Sequence, residues 1–221
     1  MNPIPSPAAV PAAPSVPRSL FVLSIFYGGM VCIAGVLGNK QVAVGPLAVE
    51  AGIFAFLLLV AISSAVAEVH GRATANRLVQ YGFIPLIFSI LLLLVVLAVP
   101  ASPSMEPERL AAFDLMMRAT PRIWIAGILA YGTSQTLNVA IFDAMRRGQG
   151  RLLWLRAGLA SVLSQIVDTL IFIGVAFYGV FPIGELLFGQ MLTKVVLSIV
   201  IVPPLIYGFV ALARRLDRPA H

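Results

Sequence analysis

Charge is what this sequence has least of. Asp, Glu, Lys and Arg make up 11% of its 221 residues, against 60% hydrophobic, and the mean hydropathy is +0.99. Soluble chains carry about 25% charged residues. Fifteen Lys and Arg with nine Asp and Glu cannot cover a 23.6 kDa globule with polar surface, so a water-soluble fold is excluded and an integral membrane protein is implied. Cysteine is almost missing as well. Cys32 stands alone, which excludes a disulfide framework and any Cys-rich zinc or iron–sulfur site and leaves a small apolar helix residue. The two histidines, His70 and His221, are far apart and suggest no metal or catalytic pair. HExxH, GxSxG and GxxxxGK[ST] are all missing, so neither an enzyme nor a bound cofactor is expected. The Gly35 to Gly38 segment fits close helix approach better than phosphate binding. A net charge of +6 and a pI near 10.1 would point to nucleic acid in a soluble protein. Here the positions of the charges carry the information, and no nucleic-acid partner is expected.

What is present is long apolar runs. A membrane helix needs about 20 mostly apolar residues. Six stretches qualify, at about Leu20–Leu37, Leu47–Ala67, Leu78–Val99, Ile123–Phe142, Leu155–Tyr178 and Leu186–Leu212. None shows the period-2 alternation of a barrel strand, so the expected fold class is an all-α membrane protein of six transmembrane helices. Residues 1–18, with six prolines among the first 17, read as a disordered tail. The six-helix domain covers 19–214, and 215–221 form a basic tail. Arg18 leads directly into a full span, so signal-peptide cleavage is not expected. The long loop Pro100–Pro121 ends in an apolar-faced segment, Leu110–Met117, suited to the interface.

Lys and Arg counts in the short loops set the orientation. Ten fall on the side of the N terminus, on Arg18, Arg72, Arg77, Arg146, Arg147, Arg151, Arg156, Arg214, Arg215 and Arg218. Four fall opposite, on Lys40, Arg109, Arg118 and Arg122. Both termini are therefore expected in the cytoplasm. Trp124 and Trp154, each at a span entrance, fit an aromatic belt.

Polar groups inside the spans are candidates for function, because each costs several kcal/mol unless it is paired or faces a cavity. Span five carries Ser161, Gln165 and Asp168 on one helix face. Span six carries Gln190 and Lys194 one turn apart. Asp168 and Lys194 lie at similar depth, so they either pair directly or hold a ligand between them. Span four carries Ser134, Gln135 and Asn138. Its SQxxNxxIF pattern recurs thirty residues later as SQxxDxxIF from Ser164, the form of an inverted repeat across antiparallel helices. Against these stands the plain alternative that Ser, Thr, Asn and Gln only bond neighbouring helices. Glu68 and Arg72 stand four apart at the exit of span two, as in an interfacial salt bridge, and His70 between them reads as a solvated interface residue.

At these residues the sequence resembles the queuosine precursor transporter family, also called the vitamin uptake transporter family, from Leu20 to Asp217. The landmarks are Asn39-Lys40; the segment Glu68-Val69-His70-Gly71-Arg72 with Gly82-Phe83; Arg156, Ser161, Gln165, Asp168, Ile171 and Phe172; and Lys194 with Pro203. The resemblance implies a multi-pass protein of the bacterial inner membrane that imports 7-cyano-7-deazaguanine and related 7-deazapurines for tRNA queuosine synthesis. It also implies a layout similar to the substrate-binding subunits of energy-coupling-factor transporters, and dependence on a separate ATPase is the alternative reading. Two positions depart from the family pattern: Ser64 stands where Asp is usual and His70 where Tyr is usual. For such a ligand, Asp168 is the candidate to accept the adjacent N1–H and NH2 groups. Gln165, Gln135 and Asn138 would supply amide contacts, and Lys194 would neutralise Asp168 or contact the base carbonyl. Phe142 or Phe172 could stack on the ring. Asn39, grouped with the substrate-binding residues, and Lys40 would line the outer entrance, Glu68 and Arg72 the inner one, with Arg156 among the gating or coupling residues. The partners implied are the small-molecule substrate and the lipid bilayer, and a carrier this small is compatible with a homodimer.

Overall fold

The computed structural model describes residues 16–147, 153–180 and 182–218, without the side chains of 135, 136, 138–147 and 153–161. The described residues form seven helices and one hairpin: α1 (Arg18–Leu37), β1 (Gln41–Val44), β2 (Leu47–Glu50), α2 (Gly52–His70), α3 (Arg72–Ala98), α4 (Pro107–Arg147), α5 (Leu153–Phe177), α6 (Gly184–Val200) and α7 (Val202–Leu216). Helices α1, α2 and α3 are each long and apolar enough to cross a membrane, and α6 with α7 passes the same test as one bent span.

Burial in α1 recurs every four residues, at Ser19, Leu23, Tyr27, Val31 and Gly35, so one narrow stripe of the helix faces the bundle. In α3, Leu78, Gly82, Leu86 and Ile90 do the same. The opposite face of α3 exposes Phe88, Leu91, Leu92 and Val95, a surface that only lipid can cover at low cost. Tyr27 packs onto Gly82, where a Cβ would collide with its ring. Helix α2 packs against α1, α3, α6 and α7 and forms the centre.

The run Leu47–Ala67 is not one span. Its first four residues form β2, paired antiparallel with β1 from Gln41↔Glu50 to Val44↔Leu47. Gly45, at φ 59°, takes the first turn position and Pro46 the second, as a type II′ turn asks. The apolar run concealed a strand because both faces of β2 are covered. The α2–α3 junction also departs from expectation. Gly71 has φ 86° and ends α2, so Glu68 and Arg72 lie on different helices, both exposed, and make no salt bridge.

Helix α4 has 41 residues and is about 60 Å long, twice the hydrocarbon thickness. It absorbs Leu110–Met117, expected as a separate interfacial segment. Arg122 on α4 donates to the carbonyls of Val175 and Tyr178 at 2.6 and 2.7 Å, satisfying the free end of α5. Trp124 is no belt residue. It is buried against Gly35 and donates Nε1–H to the Cys32 carbonyl at 3.0 Å. The run Leu186–Leu212 is broken into α6 and α7, bent by 48°. Pro203 and Pro204 in the first turn of α7 lack the N–H donors that would continue the α6 ladder. Helix α7 runs through Leu216 and so takes Arg215 out of the expected tail.

The start of α1, the end of α2 and the end of α7 meet at one end of the bundle, where Ser19 bonds both His70 and Asp217. The hairpin occupies the other end.

Candidate functional site

A cavity of about 490 Å³ opens between the helices, within the ~300–1,000 Å³ of small-molecule sites. Its apolar wall includes Tyr27, Phe56, Phe83, Trp124, Tyr131 and Phe172. Its polar wall is built by α5, α6 and the end of β2.

From α5 comes Asp168, and from α6 comes Lys194, 8% and 5% exposed. Lys194 Nζ donates to Asp168 Oδ2 at 2.7 Å. Ser134 on α4 donates its hydroxyl to Oδ1 at 3.2 Å, so the first member of the repeated SQ pattern touches the Asp of the second. The ammonium also lies 4.6 Å from the Phe56 ring centroid and 6.0 Å from that of Phe172, within cation–π reach. The pairing at equal depth is the direct one of the two arrangements the sequence allows.

Glu50, at the end of β2, is the residue that reading from sequence missed. It is 2% exposed, and Gly52 N–H donates to its Oε1 at 2.6 Å. Gln190 holds it twice: the Glu50 N–H donates to Gln190 Oε1 at 2.8 Å, and Gln190 Nε2 donates to Glu50 Oε2 at 3.3 Å. Glu50 lies within the run Leu47–Ala67, so the rule that singles out ionisable groups inside spans could have found it. The hairpin reaches α6 closely enough for this clamp because position 189 is glycine. A Cβ there would collide with the Ala48 carbonyl.

Asp168, Gln165, Lys194, Ser64 and Phe172 line the cavity. Other expected residues lie elsewhere. Asn39 donates to the carbonyls of Gly35 and Val36 and to Thr120 Oγ1, at 3.3, 3.2 and 2.8 Å, which caps α1 and fastens it to α4. Lys40, Glu68 and Arg72 are exposed and outside the cavity wall. Gln135, Asn138, Phe142, Trp154, Arg156 and Ser161 lie outside the described side chains. His70 is not a solvated residue: its Nε2 is 2.6 Å from Ser19 Oγ and 3.8 Å from Asp217 Oδ2.

A bundle of long apolar helices around a mostly apolar cavity that carries a few buried polar groups has the architecture of a multi-pass membrane protein. The chain belongs to the family described as "putative vitamin uptake transporter", which matches residues 50–208, and it is thus a member of a transporter family and not of an enzyme family. It is 34% identical over 142 residues to the "Probable queuosine precursor transporter" of Bacillus subtilis strain 168, covering 62% of this chain and 61% of that protein. It is 26% identical over 162 residues to the "Queuosine precursor transporter" of Escherichia coli strain K12, covering 73% and 70%. The match thus spans less than two thirds of the Bacillus protein's length. No solved structure matches the chain.

Proposed function

We propose that this protein imports queuosine precursors, 7-cyano-7-deazaguanine and related 7-deazapurines, across the bacterial inner membrane. The observation that carries this reading is the Asp168–Lys194 pair, buried at 2.7 Å on the wall of a 490 Å³ cavity with aromatic rings around it. A planar heterocycle needs apolar faces above and below and a few polar groups at its edge, and this cavity offers both. The names of the two bacterial relatives support the substrate class.

Counted as spans, α1, α2, α3, the apolar part of α4, α5 and the bent α6–α7 pair make six. The contact between the start of α1 and the end of α7 agrees with an even number, and the excess of Lys and Arg on that side supports a cytoplasmic position for it. Asp168, Lys194 and Gln165 form the centre of the site, with Gln135 and Asn138 as further candidates on α4. Alternating access would rock one group of helices against another around this centre, with the Pro203–Pro204 break as a natural joint.

The test is tRNA queuosine in a strain unable to make the precursor, supplied with 7-cyano-7-deazaguanine and carrying either the wild-type gene or Asp168→Asn. Wild type is expected to restore queuosine, and the variant to fail while still accumulating in the membrane. Failure of the wild type with every 7-deazapurine would overturn the substrate, and near-normal rescue by the variant would remove Asp168 from the site. Uptake by the purified protein alone in liposomes would exclude dependence on a separate ATPase.

A further inference from the structure

The cavity holds two buried carboxyl groups with different surroundings. Asp168 has a cation in direct contact at 2.7 Å. Glu50 has none: no described cation makes an ion pair with it. It is held by neutral donors alone, the Gly52 N–H on Oε1 and the Gln190 amide on Oε2. A carboxylate offers about four acceptor sites, and two of these are left. Capping the first turn of α2 would use one oxygen. The clamp by Gln190, on the Glu50 main chain and side chain together, fixes the other and holds the group on the cavity wall.

Gln190 and Lys194 are one helical turn apart on α6, on the same face. Because Gln190 carries Glu50, the Glu50 carboxylate and the Lys194 ammonium both line the cavity, a group of acceptors and a donor on one wall. A 2-amino-lactam edge is the complement: a carbonyl oxygen, then a ring N–H, then an amino group.

We propose that Glu50, and not Asp168, is the carboxylate that reads the ring N–H and the 2-amino group, with Lys194 on the neighbouring carbonyl oxygen and Asp168 positioning Lys194. The inference rests on the uptake reading above and specifies the ligand chemistry of the same cavity. A ligand without the 2-amino group leaves one of the two remaining acceptor sites of the buried carboxylate unfilled, and polar sites of this kind discriminate strongly.

The experiment is equilibrium binding to the full-length protein in detergent, with two ligand pairs: 7-cyano-7-deazaguanine against its 2-deamino analogue, and guanine against hypoxanthine. In wild type the amino compounds are expected to bind about 100-fold or more tightly than their partners. In Glu50→Gln the ratio should fall to within about 5-fold, because an amide presents one acceptor and turns an NH2 toward the ligand's own donors. Glu50→Gln keeps an oxygen for the Gly52 N–H. If it does not accumulate, Gln190→Met leaves the carboxylate but removes its clamp, and the ratio should fall there too. A ratio retained in these variants, or lost only in Asp168→Asn, overturns the assignment. Binding of guanine without 7-cyano-7-deazaguanine would support edge reading by Glu50 and overturn the substrate. A wild type that binds none of the four overturns both.

Discussion

Ser19 donates its hydroxyl to Asp217 Oδ2 at 2.6 Å and its N–H to Oδ1 at 2.9 Å, tying the first turn of α1 to the end of α7. Because the serine hydrogen is engaged with Asp217, the His70 Nε2–H is the donor in the 2.6 Å contact with Ser19 Oγ. Three helix ends that no local pattern relates are thereby joined by one hydroxyl.

The Asp217 carboxyl is held below its ordinary value of 3.8, first by the Ser19 hydroxyl and then by the Ser19 N–H, with His70 and Arg18 adding smaller effects. A depressed carboxyl stabilises the fold above its unfolded value and loses that contribution as pH falls toward its folded one. Thermal unfolding of the detergent-purified protein should therefore show a stability loss beginning near pH 4 and deepening below it. Asp217→Asn should lower the melting temperature at neutral pH and flatten this acid limb. An acid limb unchanged by Asp217→Asn would mean that other carboxyls govern it.

The Asp168–Lys194 pair makes a prediction of its own. Removing one partner of a buried pair leaves an uncompensated charge and typically costs about 3–5 kcal/mol, whereas replacing both is often close to neutral. Lys194→Met should thus destabilise strongly, and Lys194→Met with Asp168→Asn should recover much of the loss. Melting temperatures of the two single variants and the double variant check this. If the double variant is stable, its failure to bind a 7-deazapurine would separate a ligand role from a structural one, and strictly additive losses would argue against direct coupling.

This pair was legible in the sequence because a charge in an apolar run is conspicuous and helix rise fixes its depth. Glu50 was equally charged, yet the run around it reads as helix when it begins as a strand. An apolar segment buried on both sides has no period to separate the two, and only Gly45-Pro46 marked the turn. The break before α7 had its signal in Pro203 and Pro204, overridden by the continuous apolar run. The bond between Ser19 and Asp217 spans 198 residues and had no signal at all, since chain ends meet only after the bundle is assembled. Asn39 was visible as a polar residue after span one, but its preference for free carbonyls at a helix end outweighs any role at the cavity.

The place of Glu50 depends on the fit of the hairpin against α6, and Gly189 sets that fit. An added Cβ there would meet the Ala48 carbonyl and main chain, groups that cannot swing aside as a side chain would. Gly189→Ala is therefore expected to push β2 outward, to lengthen both Gln190 contacts with Glu50, and to cost about 1–3 kcal/mol of stability. Gly174 on α5 is the control. Apart from its own helix backbone, no atom lies within 4 Å of a Cβ built there, so Gly174→Ala should be neutral or gain up to about 1 kcal/mol from its helix preference. Thermal unfolding and binding of 7-cyano-7-deazaguanine, measured on both variants, distinguish the cases. Loss of binding in Gly189→Ala with normal binding in Gly174→Ala is the expected result. Equal behaviour of the two would mean that the hairpin does not depend on this contact to present Glu50.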